Sequence, residues 1–293
     1  MSIILDNISY CYDNNTNNKR KALNKVSLKI DDGEMVGIIG HTGSGKSTLV
    51  QHLNGLIKAT NGAYYYNGEE VYSDNYDLKK LRNKVGLVFQ YPEYQLFEET
   101  VIKDVSYGPT MLGLEQLEIQ LRAFESLKLV GIDDDYLDAS PMELSGGQKR
   151  KVAIAGVLAM KPDVLVLDEP TAGLDPVSRK ELLDLVRNLH KETGMTVIIV
   201  SHSMEDMAEY VDRLIVMNKG IIKYDYTPQN VFENYEELKQ IGLDVPQTAK
   251  LINELRNIGY LIPNSDYTID DTVRVVTEYV RKMENDKWLE ILQ

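Results

Sequence analysis

A glycine-rich segment at residues 40–48 stands between a short apolar run and a helical pattern. Its sequence, GHTGSGKST, fits the pattern G-x-x-x-x-G-K-[ST]. The apolar residues from Met35 to Ile39 predict a buried strand, and the pattern from Ser47 to Leu56 predicts a helix. Glycines let backbone N–H groups curl around phosphate oxygens, and a helix N-terminus adds partial positive charge. The segment therefore predicts a phosphate-binding loop that joins a strand to a helix.

Two side chains of this loop have predicted roles of their own. Lys46 would reach the β- and γ-phosphates of a nucleotide, and the Ser47 hydroxyl would ligate Mg²⁺. A glycine-rich turn without a ligand is the alternative, and the strand and helix on either side argue against it. The residues expected to contact ATP here are Gly40, His41, Thr42, Gly43, Ser44, Gly45, Lys46, Ser47 and Thr48.

A pair of acidic residues follows a second buried strand. Four apolar residues, Val164 to Leu167, predict the strand, and Asp168 and Glu169 stand at its C-terminal end. Ligands of open α/β sheets lie at this end of the strands. We expect Asp168 to hold Mg²⁺ through water. We expect Glu169 to face the γ-phosphate, where a carboxylate orients or deprotonates the attacking water. Capping of the next helix is the alternative for both acids.

Strand and helix patterns alternate on both sides of a helical stretch. Between about 91 and 160 only helical patterns occur, and alternation resumes over 163–224. A mostly parallel sheet with crossover helices is the economical arrangement for such alternation. We predict an α/β domain over 1–224 with a helical subdomain at about 91–160, and an α-rich extension over 225–293. Apolar residues recur at helical spacing in the subdomain: Leu117, Leu121, Phe124 and Leu127.

Charge and composition argue against several classes of protein. Acidic residues outnumber basic ones by 45 to 32, which gives a net charge of −13 at pH 7. This balance disfavours a nucleic-acid-binding surface, so no nucleic-acid partner is expected. The longest apolar run, Val152 to Met160, is far shorter than the ~20 residues that a membrane span needs. With one cysteine, Cys11, and no apolar leader at its start, the sequence favours a reducing, cytoplasmic location.

A third segment, Leu144 to Gln148, reads LSGGQ and precedes a predicted helix from Lys149 to Met160. Serine with two glycines at a helix N-terminus is another anion-binding arrangement. The chain thus has two phosphate-binding helix starts but only one lysine-bearing loop. The second start would then serve a nucleotide held by another chain. Together, these motifs resemble those of the ATP-binding-cassette (ABC) ATPases, in which LSGGQ is the signature motif.

The resemblance implies a P-loop nucleotide-hydrolase fold of the ABC ATPase type. This fold has a mixed sheet core, a helical subdomain and a small β-rich N-terminal part. In the family two cassettes stack head to tail, and each signature closes over the ATP of the partner. The signature residues that would face the partner's ATP are Ser145, Gly146, Gly147 and Gln148.

Further positions match other motifs of the family. Gln90 matches the Q-loop glutamine, which contacts Mg²⁺ or the attacking water. His202 matches the switch histidine, whose imidazole can stabilise charge on the γ-phosphate. Asp175 matches the D-loop aspartate, which would act across the dimer, and Tyr12 matches the aromatic that stacks on adenine; Tyr10 shares its strand parity. The implied catalytic residues are Glu169, His202 and Gln90, and the implied metal ligands are Ser47, Gln90 and Asp168.

Finer features resemble the energy-coupling factor (ECF) subgroup. The segment Phe89 to Val101, FQYPEYQLFEETV, is similar to the Q-loop of ECF ATPases and to the second of their two ATPase subunits. LDEPTAGLDP at 167–176 and VPQTAKL at 245–251 add to the resemblance. It implies a heterodimer with a second, related cassette ATPase, peripheral on the cytoplasmic face of the membrane. The dimer would drive a transmembrane coupling protein and a membrane substrate-binding component that imports vitamins or transition-metal ions.

The resemblance also implies a mechanism. Two ATP molecules hold the cassettes together, and loss of the γ-phosphate lets the dimer open. We expect Tyr91 to Thr100 to contact the coupling protein; the alternative is that these residues only pack the helical subdomain onto the core. For the extension, 225–293, dimer contacts are favoured over membrane binding, because anionic lipid repels its acidic surface. Simple packing is the alternative for the extension.

Two other functions stay open at this point. An ATPase subunit of another ABC transporter would co-purify with a solute receptor and two permeases. A non-transport ABC ATPase would show salt-sensitive binding to nucleic acid or ribosomes. The single cassette and the acidic charge disfavour the latter.

Overall fold

The protein is described by a computed structural model over residues 2–12, 20–263 and 265–291. Its strands are β1 Ser2–Tyr12, β2 Arg20–Asp31, β3 Met35–Ile39, β4 Asn61–Tyr66, β5 Glu69–Glu70, β6 Val85–Val88, β7 Val164–Asp168, β8 Thr196–Val200, β9 Arg213–Asn218 and β10 Ile221–Tyr226. Its α-helices are α1 Lys46–Leu53, α2 Leu78–Lys84, α3 Val101–Met111, α4 Gln116–Leu129, α5 Gly146–Leu158, α6 Pro176–Thr193, α7 Met204–Tyr210, α8 Pro228–Phe232, α9 Tyr235–Gln240, α10 Gln247–Asn257 and α11 Ile269–Ile291.

A six-stranded sheet forms the centre of the molecule. Its strand order is β10-β9-β3-β8-β7-β6. The five strands from β9 to β6 are parallel, and β10 is antiparallel to β9. Every residue of β3, β7 and β8 is buried, as expected for parallel strands that are covered on both faces. The predicted mostly parallel sheet is confirmed.

The side chains on the two faces of this sheet belong to two separate apolar clusters. On β7, Val164 and Val166 belong to one cluster, whereas Leu165 and Leu167 belong to the other. The first cluster is closed by an antiparallel sheet of order β2-β1-β4-β5, which is the small β-rich part implied by the family resemblance. The second cluster is covered by helices, including α5 and α6. Successive side chains of a strand point to opposite faces, so each buried strand contributes to both cores.

The stretch from 91 to 160, which the structure describes completely, contains helices and short 3-10 turns but no strand. Helix α4 forms where the apolar spacing predicts a helix. Its buried side is formed by Ile119, Ala123, Ser126 and Leu127, and of the predicted set only Leu127 belongs to it. The predicted stripe is partly outside: Leu117 is 79% exposed and Leu121 is 53% exposed. Helix α4 carries apolar residues on two faces, and α3 and α5 cover only one of them.

The C-terminal extension packs onto the main core. Phe232, Ala249 and Ile252 are fully buried and belong to the same apolar cluster as Val197 and Leu214 of the central sheet. Strand β10 ends at Tyr226 and so crosses the boundary placed after residue 224. The division of the chain into domains stays a prediction.

Over the described parts of the chain, every helix is too short or too polar to traverse a bilayer.

Gly86 on β6 provides a test of how tightly the sheet and α5 pack. A Cβ at this position would lie 2.4 Å from Cγ1 of Val157. We expect Gly86→Ala to lower the free energy of unfolding by about 1–3 kcal/mol, because overpacking forces neighbouring groups apart. The measurement is the chemical unfolding midpoint of the full chain.

Gly156→Ala is the matched control for this substitution. Its Cβ would meet only the Cα of Val105, at 4.0 Å. Alanine favours a helix over glycine, so this variant should unfold at the same denaturant concentration as the native chain or a higher one. Equal midpoints for Gly86→Ala and the native chain would contradict the tight contact.

Candidate active site

The carboxyl ends of four neighbouring parallel strands lie at one edge of the central sheet. In spatial order these strands are β3, β8, β7 and β6. Gly40 follows β3, His202 lies beyond β8, Asp168 ends β7, and Gln90 lies beyond β6. The topology therefore brings together four segments that are far apart in the sequence. Ligands of open α/β sheets bind at such an edge.

The phosphate-binding loop runs from the end of β3 to the start of α1. Gly45 is the N-cap of α1 and has φ +109°, a conformation that L side chains rarely adopt. A Cβ on Gly45 would lie 2.6 Å from the carbonyl oxygen of Ala22, and one on Gly40 would lie 2.4 Å from Oγ of Ser44. Glycine is needed at both positions because neighbouring atoms fill the space.

The turn between β9 and β10 supports the same loop. The Gly220 amide donates to the carbonyl oxygen of Ser44 at 2.8 Å, and a ring nitrogen of His41 lies 3.1 Å from Oδ1 of Asn218. The Ser44 amide donates to the His41 carbonyl oxygen at 3.0 Å. Oγ of Ser44 is buried and has no hydrogen-bond partner among the described residues. The loop is thus held in shape by contacts from outside it.

Lys46 lies almost completely buried under the loop. Its ammonium donates to the carbonyl oxygen of Gly40 at 2.6 Å. Burial lowers the pKa of Lys46, whereas the nearby carboxyl groups of Glu169 and Asp168 raise it. The negative charge of a bound triphosphate would act in the same direction as those carboxylates. Lys46 is therefore placed to bind phosphate as an ammonium ion.

Asp168, which ends β7, accepts a hydrogen bond from Ser47 in the first turn of α1. Burial raises the pKa of Asp168, and a hydrogen bond from Ser47 and the charge of Lys46 lower it. No group of three or more His, Cys, Asp and Glu side chains suited to a metal occurs among the described residues. This donor set fits Mg²⁺, which typically takes one or two protein oxygens and completes its shell with phosphates and water. Gln90 is exposed near this edge, and its part as a ligand stays a prediction.

Glu169 follows Asp168 in an unusual backbone conformation, with φ +52°. Burial raises the pKa of Glu169 to about 7; the charge of Lys46 opposes this rise and that of Asp168 adds to it. Oε1 lies 3.0 Å from Nε2 of His202, but this contact is not aligned as a hydrogen bond, and Oε1 has no other partner among the described residues. A carboxyl group with a pKa near neutrality can take a proton from water.

His202 is more exposed than the carboxyl group it faces. Its side chain is 53% exposed, against 13% for Glu169. Burial lowers the pKa of His202, and the positive charge of Lys46 lowers it further. The imidazole is therefore mostly neutral at pH 7, and its ring nitrogen can donate a hydrogen bond without carrying a charge.

The signature segment caps helix α5. Oγ of Ser145 accepts a hydrogen bond from the backbone N–H of Gln148 at 3.3 Å, and Oε1 of Gln148 accepts one from the backbone N–H of Ser145 at 3.0 Å. This reciprocal pair is a capping box. Both side chains are therefore occupied by local hydrogen bonds. The exposed Gly146 and the half-buried Gly147 between them keep the helix start open.

Comparison with known proteins adds to this geometry. The family model described as "ABC transporter" matches residues 23–172. The "Energy-coupling factor transporter ATP-binding protein EcfA2" of Caldanaerobacter subterraneus subsp. tengcongensis is 50% identical over 285 residues, 97% of this chain and 100% of the relative. Its counterpart in Clostridium perfringens is 52% identical, over 96% of this chain and 99% of the relative. The chain belongs to this group of ABC transporter ATP-binding proteins.

Solved structures share the fold. The structure of cbiO1 from Clostridium perfringens, described as part of the ABC transporter complex cbiONQ, matches with a TM-score of 0.72 and 37% identity, over 86% of this chain and 98% of that one. A dimeric ATP-binding cassette in a post-hydrolysis state, bound to ADP and Pi, matches with a TM-score of 0.69 and 31% identity, over 77% of this chain and 98% of that one. The predicted ABC ATPase fold is confirmed.

Tyr12 lies beside the phosphate loop of this cassette. Its hydroxyl is 3.1 Å from Oγ1 of Thr48, and its ring meets Tyr10 edge to face at 4.9 Å. Tyr10 in turn packs against the buried ring of His52 at 5.1 Å. The two tyrosines thus have different surroundings despite their shared parity: Tyr12 is 43% exposed, whereas Tyr10 is partly buried. Its stacking on adenine stays a prediction.

Asp175 has a local structural function at the start of α6. Its Oδ1 accepts from the amides of Val177 and Ser178 at 3.0 and 3.1 Å, and its Oδ2 accepts from the Ser178 hydroxyl. These hydrogen bonds to Ser178 and Val177 lower the pKa of Asp175. An action across a dimer stays a prediction for this residue.

Sequence reasoning missed the support that Asn218 and Gly220 give to the phosphate loop. The short runs on either side of them predict two strands, and Asn-Lys-Gly is a turn signal. Nothing in the sequence says, however, that this turn reaches Ser44 and His41. The contact depends on β9 lying next to β3, which is a property of the strand order.

Lys46→Ala tests the phosphate site. The variant removes a buried, charge-assisted donor, so we expect affinity for Mg-ATP to fall about 10- to 100-fold. Titration calorimetry on the full chain measures the affinity, with a melting curve to check folding. Lys103→Ala, which removes an exposed lysine paired with Glu99, is the matched control and should bind normally. Native affinity in Lys46→Ala would contradict the assignment.

Proposed function

We propose that this chain is the ATP-hydrolysing subunit of an ECF-type importer and that it works as a dimer of cassettes at the cytoplasmic face of the membrane. The observation that carries the proposal is the position of Glu169. This carboxyl group, with a pKa of about 7, stands next to the paired oxygens of Asp168 and Ser47 and near the buried ammonium of Lys46.

The surroundings of each group at the sheet edge suit it to one role in ATP binding or hydrolysis. Lys46 and the backbone amides of the phosphate loop bind the triphosphate. Mg²⁺, held by Ser47 and Asp168, would neutralise phosphate charge. Glu169 takes the proton of the attacking water, and the neutral His202 imidazole donates a hydrogen bond to the γ-phosphate. Gln90 orients the water from the neighbouring strand end.

A second cassette completes the site in this proposal. Gly146 and Gly147 offer amides at the start of α5, and the side chains of Ser145 and Gln148 hold that start in shape. ATP bound by the partner would be held by these amides, and the reverse contact would hold the ATP of this chain. Hydrolysis removes the γ-phosphate that both chains share, so the dimer opens.

A groove beside the Q-loop is the proposed contact for the transmembrane coupling protein. Its volume is about 730 Å³, and its walls come from α2, α3, α5 and the segment after Gln90. Phe97 lines it and is 62% exposed, and the nearby Tyr94 is 84% exposed. Exposed aromatic residues around a concave apolar surface are typical of a protein contact. These residues lie within the segment Tyr91 to Thr100 that the sequence favours.

The remaining partners follow from the ECF relationship. A related cassette ATPase would be the second member of a heterodimer, and a separate membrane component would bind the vitamin or transition-metal ion. The extension adds an exposed apolar set suited to dimer contacts: Leu251, Ile258, Leu261, Ile269 and Val273. Its buried residues also pack onto the cassette, so packing and dimer contact are compatible. The net charge of −13 supports the absence of a nucleic-acid partner.

Glu169→Gln tests the catalytic proposal. The amide keeps the shape of the side chain but accepts a proton poorly, so we expect hydrolysis to fall about 100- to 10,000-fold while ATP affinity stays close to native. Phosphate release and ATP titration measure the two quantities. Glu69→Gln, an exposed glutamate paired with Lys80, serves as control. Native turnover in Glu169→Gln would remove Glu169 from the role of base.

Phe97→Asp tests the groove. A charge on its apolar lining should weaken assembly with the membrane proteins about tenfold or more and leave ATP affinity of the separate chain unchanged. Co-purification from gently solubilised membranes, with mass spectrometry of the partners, is the measurement. Leu117→Asp places the same charge on an exposed apolar residue outside the groove and should assemble normally. Full assembly of Phe97→Asp would argue that these aromatics only pack the subdomain.

A further inference from the structure

Arg150 has the largest side chain among the fully buried residues that the structure describes. It lies in the second turn of α5, five residues after Ser145. Burial of an arginine is unusual, because its guanidinium stays charged at any physiological pH. The surroundings of Arg150 must therefore compensate a permanent positive charge.

The guanidinium of Arg150 contacts two loops at once. Nη1 donates to the carbonyl oxygens of Pro170 at 2.7 Å and Ala172 at 2.9 Å. Nε and Nη2 donate to the carboxylate of Glu93, with distances from 2.8 to 3.2 Å. Glu93 lies in the 3-10 turn Pro92–Gln95, just after the Q-loop. All three nitrogens of the fork are thus engaged, and Glu93 supplies the compensating charge.

The two carbonyl groups belong to the turn that follows Glu169. This turn starts from a strained point, since Glu169 has φ +52° and is not a glycine. The Glu169 amide donates to the Val200 carbonyl oxygen, and the Ala172 amide donates back to the Glu169 carbonyl oxygen. Such a conformation persists only when neighbouring contacts over-determine it. Arg150 provides two of those contacts from another element.

We propose that Arg150 is a positioning residue for hydrolysis. It fixes the turn from Glu169 to Ala172 through the two carbonyl groups, and Glu93 fixes Arg150 in turn. The carboxyl group of Glu169 keeps its orientation because this anchor is rigid. The inference rests on the proposed role of Glu169 as the base.

The position of Glu93 gives this anchor a second consequence. Gln95 and Leu96, two and three residues further on, line the groove beside the Q-loop. A protein bound in that groove would press on the turn that holds Glu93. A movement of Glu93 would shift Arg150 and, through it, the turn that carries Glu169. Arg150 also lies in α5, the helix that begins with the signature. One buried ion pair therefore joins the groove, the signature helix and the catalytic turn.

The test compares two variants in the full-length chain, within the assembly with which it co-purifies. Arg150→Met keeps much of the volume but removes every donor. We expect kcat to fall about 10- to 100-fold, since a small misplacement of a catalytic group costs that much, while ATP affinity stays within about twofold. Arg150→Lys keeps the charge but not the fork, and kcat should fall at least about threefold.

Arg213→Met is the matched control. Arg213 bonds the carboxylates of Asp225 and Glu34. It starts β9, which runs parallel to β3, so it lies at the opposite end of the sheet from the active edge. It should lower the melting temperature and leave kcat native. If Arg150→Met behaves in the same way, or if it weakens ATP binding as much as it lowers kcat, the positioning role is overturned.

Two outcomes separate this inference from the proposed function. If Arg150→Met does not fold, Arg150→Lys decides alone: native kcat overturns the inference, and a fall at unchanged ATP affinity supports it. Glu169→Gln is measured in parallel. Native turnover in that variant removes the proposed base itself, whereas loss of turnover there together with native kcat in both Arg150 variants overturns only the inference.

Discussion

Parallel pairing of four buried strands sets the geometry on which the site depends. Ile38 of β3 pairs with Val200 of β8, and Asp168 of β7 pairs with the same Val200. A slip of one residue would exchange the two apolar faces of a strand, and each face here is committed to its own core. The strand ends are therefore fixed to within one residue. This register sets the distances between the phosphate loop, the acidic pair and His202.

Burial at the sheet edge then makes each charge depend on another. It lowers the pKa of Lys46 and raises those of Asp168 and Glu169, and the opposite charges partly reverse these shifts. Asp168, with Ser47 bonded to it, remains the better anion, and Glu169 is left poised near neutrality. Two adjacent carboxyl groups thus acquire different chemistry, because one has a hydroxyl donor and the other has a buried oxygen without an aligned partner.

Local chemistry explains which features the sequence can predict. The loop at 40–48, the strand before Asp168 and the capping of α5 depend on residues within a few positions of one another. Features that depend on distant residues cannot be predicted in this way. Packing against α3 and α5 decides which face of α4 is buried, so Leu117 faces solvent although its spacing suits a core. Arg150 is another case, since an arginine in a helix usually indicates a solvated face. Its partners Glu93 and Pro170 are 57 and 20 residues away.

The capping box of α5 bears on the proposed contact with a second chain. Because Ser145 and Gln148 satisfy each other, their side chains hold the helix start in place, and the amides of the glycines between them remain for an anion. The lysine-bearing loop of the same chain already has its own helix start at α1. In the proposed dimer, each chain would contribute its lysine-bearing loop to one composite site and the start of α5 to the other. A head-to-tail pair of cassettes would supply each half with its complement. The buried Arg150 links the signature helix to the turn that carries the proposed base, through the carbonyl oxygens of Pro170 and Ala172.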